Sequence, residues 1–191
     1  GDLERAQSLF EEALVYWEED SNVVGAAFAR MNMGMIAALQ GKFEPAIAIL
    51  EQSLTIIRQP GNKYSIAITL LRLASIYLKQ GNLARSKVLL AEAMPFFCEI
   101  AIKWGVAFGP EMVSHCLILF ADIARMDGSI ELAVRLLGAS EKIHEPIDLA
   151  MEPWRERFDD ILGAVREQLG EREFDAIWKE GQEMSLEQAV S

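Results

Sequence analysis

Apolar and small residues recur at helical spacing along this chain. Ala46, Leu50 and Ser53 lie four and then three residues apart, so they share one face of an α-helix. The same pattern recurs in three other stretches: Ala6, Phe10 and Ala13; Ser86, Leu90 and Ala93; and Ala133, Leu137 and Ser140. Small residues let a second helix approach closely, and the large one fills the gap between them. The pattern therefore predicts a set of equivalent, closely packed helices.

A glycine precedes each of these stretches. The glycines are Gly1, Gly41, Gly81 and Gly128, at intervals of 40, 40 and 47 residues (41 − 1, 81 − 41, 128 − 81). Another periodic stretch ends just before each of the last three. Glycine suits a tight turn because it adopts positive φ without a Cβ penalty. Each unit is therefore predicted to be helix, glycine turn, helix, and such units must stack to bury their apolar faces.

The pattern predicts helices along most of the chain. The predicted ranges are 2–19, 23–40, 42–58, 64–80, 82 to about 102, 110–126, 129–143, 152–169 and 171–180. Gly170 and Gly181 are expected to end the last two helices. Ser185 and Gln188 form a capping-box pattern that predicts a further helix start. The first helix is expected to be the second half of a repeat, which would leave Leu3, Phe10 and Leu14 partly uncovered.

Seven extra residues break the 40-residue register. They are best placed at 109–115, because Cys116 to Gly128 resumes the pattern of Thr69 to Gly81. Two interpretations stay open. The insertion is either a lip over a binding groove, where Trp104 and Phe108 contact a ligand, or a tolerated surface loop.

Small residues at matching positions make the chain resemble the tetratricopeptide repeat (TPR) family over about residues 1–143. Gly34, Ala74 and Ala121 each lie seven residues before a turn glycine, and Tyr77 follows Ala74 by three. The early tryptophan of the family pattern is absent. The 40-residue period exceeds the usual 34, and in this respect the chain resembles the long-helix repeats of bacterial signal-transduction (STAND) ATPases and LuxR-type regulators.

The C-terminal segment strengthens this second resemblance. Residues 169–190, with Arg135–Glu141, closely resemble the end of the repeat region in those large regulators. Such proteins carry an NTPase core before the repeats and often a helix-turn-helix after them. This chain contains neither a GxxxxGK[ST] phosphate loop nor a basic recognition helix.

The fold that the resemblance implies is all-α: a TPR-like right-handed superhelix of helix hairpins with a C-terminal helical cap. Residues 1–143 form the repeats, a truncated first one and then about three full pairs. Residues 144–191 form the capping segment, which is expected to cover the last repeat with Trp154, Phe158 and Phe174.

In TPR arrays the first helices line a concave face where ligands bind. Carried over by register, the candidate residues here are Phe28, Met31, Asn32, Met35, Ile68, Leu71, Arg72, Ser75, Ile118, Asp122 and Arg125. Peptide-binding relatives often have an asparagine where Asn32 stands, and Arg72 holds the matching place in the next repeat. Walls of methionine and aliphatic residues suit an amphipathic helix or an apolar segment.

The resemblance implies a non-catalytic protein-interaction or sensor module of a bacterial signalling or transcriptional regulator. Its partner would be a protein or peptide segment, including the NTPase or output domain of the same protein. Two alternatives stay open: a passive scaffold that packs on the parent protein's own domains, and a small-molecule effector domain. Apolar surface on the first helix also leaves a homodimer open.

The amino-acid composition limits the kinds of binding partner and the cellular compartment that we expect. The net charge of −11 argues against direct nucleic-acid binding and against an anionic membrane surface. Arg30 interrupts the apolar run 23–39, which is therefore a core helix rather than a membrane span. Cys98 and Cys116 lack a CxxC spacing and indicate buried free thiols in a reducing compartment, the cytoplasm.

Candidate chemistry is sparse. His115, Cys116 and Asp122 are the only catalytic-looking group, but His115 and Asp122 lie about 10 Å apart along a helix axis, which is too far for a base and its orienting carboxylate. No zinc-ligand spacing occurs. Met31, Met33 and Met35 spread around the helix as core residues do. We therefore expect no enzyme activity, no cofactor and no metal.

Overall fold

Helices form the regular secondary structure of the protein. The computed structural model describes residues 2–59, 61–104, 109–144, 152–185 and 188–189. Its helices are α1 (Asp2–Glu19), α2 (Val23–Leu39), α3 (Phe43–Arg58), α4 (Lys63–Lys79), α5 (Leu83–Trp104), α6 (Gly109–Met126), α7 (Ile130–His144), α8 (Glu152–Arg166) and α9 (Glu171–Glu183). No strand occurs in these ranges, and the predicted all-α fold of TPR-like helical repeats is confirmed.

The chain packs as two compact units. Unit 1 is Gly1–Phe96 and unit 2 is Phe97–Ser191. Unit 1 contains α1 to α4 and most of α5, and unit 2 contains the end of α5 and α6 to α9. This boundary follows packing and falls inside α5. The division at residues 143 and 144 follows the sequence repeat, and it stays a prediction.

Three turns repeat the same glycine geometry. Gly41, Gly81 and Gly128 have φ of 75°, 76° and 84°. In the first turn the Gly41 N–H donates to Ala38 O (3.0 Å) and the Lys42 N–H donates to Ala37 O (2.9 Å). The other two turns have the same pair of bonds. This arrangement is a Schellman motif, which satisfies the last carbonyl groups of a helix. The glycine turns that the sequence predicts are therefore confirmed.

The predicted small–large face forms the contact between α2 and α3. Ala46, Leu50 and Ser53 on α3 are buried. The Ser53 hydroxyl donates to Ala27 O on α2 at 3.1 Å, so its polar group is satisfied inside the core. A Cβ on Gly34 would lie 2.8 Å from Leu50 Cγ. Glycine at this position therefore lets the two helices approach each other closely.

Helix α1 packs on α2 but buries none of its own residues fully. Leu3 is 39% exposed, and Phe10 and Leu14 are partly exposed, as expected. The equivalent residues of α3, Leu50 and Leu54, are buried because α3 contacts both α2 and α4. The difference comes from the number of neighbouring helices rather than from the type of residue.

Unit 2 is built around α6, α7 and α9. The hydroxyl oxygens of Ser114 on α6 and Ser140 on α7 lie 2.7 Å apart in the core. Helix α7 also packs closely on α9, where a Cβ added to Gly181 would lie 2.2 Å from Arg135 O. The prediction that Gly181 ends the last helix is wrong. Helix α9 continues to Glu183, and Gly181 serves a close helix crossing.

The segment 109–115 is helical rather than a surface loop. It forms the first turns of α6, and Gly109, Glu111 and His115 are buried. A Cβ on Gly109 would lie 2.2 Å from Ala101 Cα, so the start of α6 packs against the end of α5. The surface-loop interpretation is therefore wrong for residues 109–115, and the predicted helix 110–126 is confirmed. The lip interpretation, which depends on Trp104 and Phe108, stays a prediction.

The capping box near the C-terminus forms as the sequence predicts. The Ser185 hydroxyl accepts from the Gln188 N–H at 3.2 Å, and the Gln188 side chain accepts from the Ser185 N–H at 2.8 Å. These reciprocal bonds satisfy two N–H groups at a helix start. A search of the described residues found no helix that is long and apolar enough to cross a membrane.

Candidate partner-binding face

The predicted concave residues of unit 1 lie on one surface of α2 and α4, which pack against each other. They differ in accessibility. Phe28 is 45% exposed, whereas Met31, Ile68 and Leu71 are buried. The partly exposed members are Asn32, Met35, Arg72 and Ser75. The accessible part of the predicted face is therefore mostly polar, and the three buried apolar residues hold the helices together.

Arg72 joins the two helices at the centre of this surface. Its Nη1 donates to Met31 O at 3.1 Å and to Asn32 Oδ1 at 3.2 Å. The Asn32 amide in turn donates to Phe28 O at 2.8 Å. The side chain of Asn32 is thus held by both of its polar ends. Arg72 and Asn32, which the sequence pairs by register, are in direct contact.

The Arg72 guanidinium has no carboxylate partner. Among the residues that the structure describes, none provides a carboxylate oxygen within 4 Å of it. Each of the other partly buried arginines forms an ion pair; they are Arg30, Arg125, Arg135 and Arg157. Burial lowers the pKa of Arg72, and the nearby Tyr64 acts in the opposite direction. Arginine nevertheless keeps its charge in proteins. A partly buried charge without a counter-ion is unfavourable, so this site favours binding of an anionic group.

Exposed aromatic and aliphatic side chains lie next to Arg72 along the same face. Tyr64 is 44% exposed and Val24 is 37% exposed, one turn before Ile68 and Phe28 respectively. Phe28 also packs edge-on against Phe10 and Trp17, with ring centroids 6.3 Å apart in each pair. We define the α2–α4 face by its accessible residues: Val24, Phe28, Asn32, Met35, Tyr64, Arg72 and Ser75.

The sequence analysis missed Tyr64 and Val24 as candidates. Tyr64 stands 40 residues after Val24 (64 − 24), so both occupy the same place in the repeat. Each also lies four residues before a residue that the sequence did select. This combination of register and helical spacing could have identified them.

The corresponding face of unit 2 is covered by α8. The rings of His115 on α6 and Trp154 on α8 stack with centroids 4.1 Å apart and planes 10° apart. Asp122 on α6 pairs with Arg157 on α8, with Nε 3.3 Å from Oδ2. Ile118 is only 1% exposed. Ile118 and Asp122 are therefore buried, and the expectation that they line an open groove is wrong.

Arg125 and Asp122 form an ion pair within α6. The Arg125 Nε and Nη2 atoms lie 3.1 Å and 2.6 Å from Asp122 Oδ1. Together with Arg157, Arg125 surrounds a single carboxylate. Because Arg157 lies on α8, its ion pair with Asp122 holds α8 against α6, whereas the Arg125 pair lies within α6.

The catalytic-looking residues are in structural positions. His115 stacks on Trp154, and Asp122 forms ion pairs with two arginines. Cys116 is fully buried, and burial raises the pKa of its thiol, which disfavours the reactive thiolate. Within the described ranges, no group of three or more His, Cys, Asp or Glu side chains could hold a metal ion. The predicted insertion lip, Trp104 and Phe108, involves side chains outside the described residues.

Comparisons with known proteins support the repeat assignment. Residues 1–59 match the family model described as tetratricopeptide repeat. Three mycobacterial proteins, provisionally named HTH-type transcriptional regulators, are 26% identical to this chain over 113 residues. One is from Mycobacterium bovis and two are from strains of Mycobacterium tuberculosis.

That similarity covers 56% of this chain and 13% of each relative, so the chain spans only a small part of the length of the curated relatives it matches. No solved structure matched the chain. The sequence match and the helix–turn–helix geometry agree, and both support a tetratricopeptide-like repeat region over residues 1–59.

Proposed function

We propose that this chain is the partner-binding region of a larger bacterial transcriptional regulator, and that the α2–α4 face of unit 1 is its binding surface. The observation that carries the proposal is Arg72, a partly buried cation between two repeat helices with no carboxylate partner in the described structure. Tetratricopeptide repeats bind proteins, and the similar mycobacterial proteins are named as transcriptional regulators.

The finer assignment follows from sequence resemblance. The C-terminal segment resembles the end of the repeat region in LuxR-type and STAND ATPase regulators, which act in the cytoplasm. In such a protein, binding on the α2–α4 face would change the activity of an NTPase or DNA-binding domain elsewhere in the same protein. Unit 2 would contribute little to binding because α8 already covers its equivalent face.

We expect Arg72→Glu to remove partner binding without unfolding the chain. The substitution reverses the only charge on the α2–α4 face, and loss of a desolvated charge contact weakens binding by about 2–5 kcal/mol. The measurement is recovery of partners from native lysate by immobilised protein, followed by quantitative mass spectrometry. Melting temperature, from circular dichroism, reports whether each variant stays folded.

Lys87→Glu is the matched control. It makes the same change of charge, but Lys87 is exposed on α5 and therefore lies outside the α2–α4 face. Tyr64→Ala tests the same face without changing charge. A partner that is retained by Lys87→Glu and lost in both face variants supports the proposal. Equal recovery by all four proteins would indicate a passive scaffold. A partner that is lost only when small molecules are removed from the lysate would indicate an effector domain.

A further inference from the structure

Unit 2 contains an example of a helix bound to the first helix of a repeat. Helix α8 places Trp154 flat on the His115 ring and, three residues later, directs Arg157 to the Asp122 carboxylate. Phe158 and Ile161, farther along α8, are buried. The bound helix therefore presents an aromatic residue followed, after about one turn, by a charged residue that pairs with the repeat.

The α2–α4 face offers the same aromatic position in unit 1, whereas its charged residue holds a different place: Asp122 is six residues before Gly128 and Arg72 is nine before Gly81 (128 − 122, 81 − 72). His115 lies 13 residues before the turn glycine Gly128, and Phe28 and Ile68 lie 13 residues before Gly41 and Gly81 (128 − 115, 41 − 28, 81 − 68). At this position of the repeat in unit 1, α2 has the exposed ring of Phe28. On α4, the exposed ring of Tyr64 lies one turn before the matching residue, Ile68. An aromatic side chain from a docking helix would thus meet aromatic surface here, as Trp154 meets His115 in unit 2.

The sign of the charge is opposite in the two units. In unit 2 the repeat supplies the carboxylate of Asp122 and the docking helix supplies a guanidinium. In unit 1 the repeat supplies Arg72, and the structure records no carboxylate near it in the described residues. Ile68 holds the same place in its repeat as Phe28, and Arg72 lies four residues after Ile68. The cation is therefore about one helical turn beyond the position of the aromatic ring. A docking helix must therefore supply the anion.

Arg72 has suitable donors for that anion. Its hydrogen bonds to Met31 O and Asn32 Oδ1 both come from Nη1. The Nε and Nη2 groups make no hydrogen bond to a described residue. These two groups form the side of the guanidinium that matches both oxygens of a carboxylate in a bidentate pair. One edge of Arg72 therefore anchors the side chain, while the other is available to a partner.

We propose that the α2–α4 face docks an amphipathic helix of a partner protein, and that this helix carries an aromatic residue followed three or four positions later by aspartate or glutamate. The aromatic residue packs against Phe28 and Tyr64, and the carboxylate pairs with Nε and Nη2 of Arg72. This inference rests on the proposed function, because it specifies what kind of segment binds the same face.

The test uses peptides derived from α8 itself. The first peptide has the sequence of residues 152–166 with Arg157→Glu, which gives an aromatic residue and a glutamate three positions apart. The second is the unchanged sequence, which differs only in that charge. Each carries an N-terminal fluorophore, and binding to the full chain is measured by fluorescence anisotropy. We expect the glutamate peptide to bind at least about tenfold more tightly, because a bidentate carboxylate–arginine pair replaces repulsion between two cations.

Charge exchange provides the decisive control. With the Arg72→Glu protein, the preference is expected to reverse, so that the unchanged peptide binds more tightly than the glutamate peptide. The Lys87→Glu protein should keep the wild-type preference. A glutamate peptide that also carries Ile161→Pro cannot stay helical and should lose binding. Folding of each protein variant is verified from its circular dichroism spectrum.

Three results would overturn the inference: no binding of either peptide at millimolar concentration, the same affinity for both peptides, or binding that is unaffected by proline. The proposed function has a separate readout. If a lysate partner is lost in Arg72→Glu and Tyr64→Ala but the peptides do not bind, the face binds a partner and the helical motif is wrong. If the peptides bind but no lysate partner depends on the face, the proposed helical motif is right and the proposed partner-binding function is wrong.

Discussion

Replacing Ala46 with arginine is expected to prevent unit 1 from folding at ordinary temperatures. Ala46 has no exposed surface, and it lies where α3 crosses α2, beside Gly34. An arginine there would add a long side chain to a filled space and bury a charge without a partner. Overpacking alone destabilises by about 1–3 kcal/mol. A buried unpaired charge adds a penalty that brings the loss to the scale of a small domain's whole stability.

The measurement is chemical denaturation followed by circular dichroism at 222 nm, with Ala48→Arg as the matched control. Ala48 is on the same helix, two residues later, but it is exposed. Its substitution should change the free energy of unfolding by no more than about 0.5 kcal/mol, as for ordinary surface positions. A wild-type denaturation midpoint for Ala46→Arg would show that the assigned contact between α2 and α3 is incorrect.

Replacing Gly181 with alanine is expected to produce the second largest loss, in unit 2. The added Cβ would lie 2.2 Å from the Arg135 carbonyl oxygen and 2.9 Å from its carbon. These are backbone atoms, so relief requires α7 and α9 to move apart. Because Phe174 and Ile177 of α9 are buried, that movement would loosen their packing. By comparison with other overpacked sites, we expect a loss of about 1–3 kcal/mol.

Gly163→Ala separates this steric effect from the difference in helix propensity between glycine and alanine. Gly163 is also near the end of a helix in unit 2, but a Cβ there would meet no atom within 4 Å. Alanine favours helix by about 0.8–1.0 kcal/mol over glycine, so this variant should be more stable than wild type. Changes of opposite sign in the two variants, measured by guanidinium denaturation, support the close crossing. Stabilisation by both would contradict it.

The sequence predicted the helices well because their signals are local. The turn glycines, the small–large face of α3 and the capping box of Ser185 all depend on residues a few positions apart. Helix ends therefore fell within a few residues of the structure in most cases. Gly181 was misassigned for a related reason. A glycine that ends a helix and one that allows a close crossing look alike until the neighbouring helix is known.

The candidate site was only partly predictable from the sequence. Register placed Arg72 and Asn32 in the same position of successive repeats, and the structure brings them into contact. Register does not reveal what covers a position. Asp122 holds the same place in its repeat as the partly exposed Ser75 (128 − 122, 81 − 75), yet Arg157 of α8 contacts it. That covering contact joins residues more than thirty positions apart, beyond the reach of any local periodicity.

The turn glycines have a consequence for the stereochemistry of the repeat. A Cβ added to Gly41, Gly81 or Gly128 would find nothing within 4 Å, so space does not restrict these positions. Their positive φ alone disfavours the ordinary residues. These turns therefore disfavour L-residues with a side chain because of the left-handed backbone conformation, and not because space for the side chain is lacking. A D-amino acid, the mirror image of the natural form, would adopt this φ as readily as an L-residue adopts a negative one.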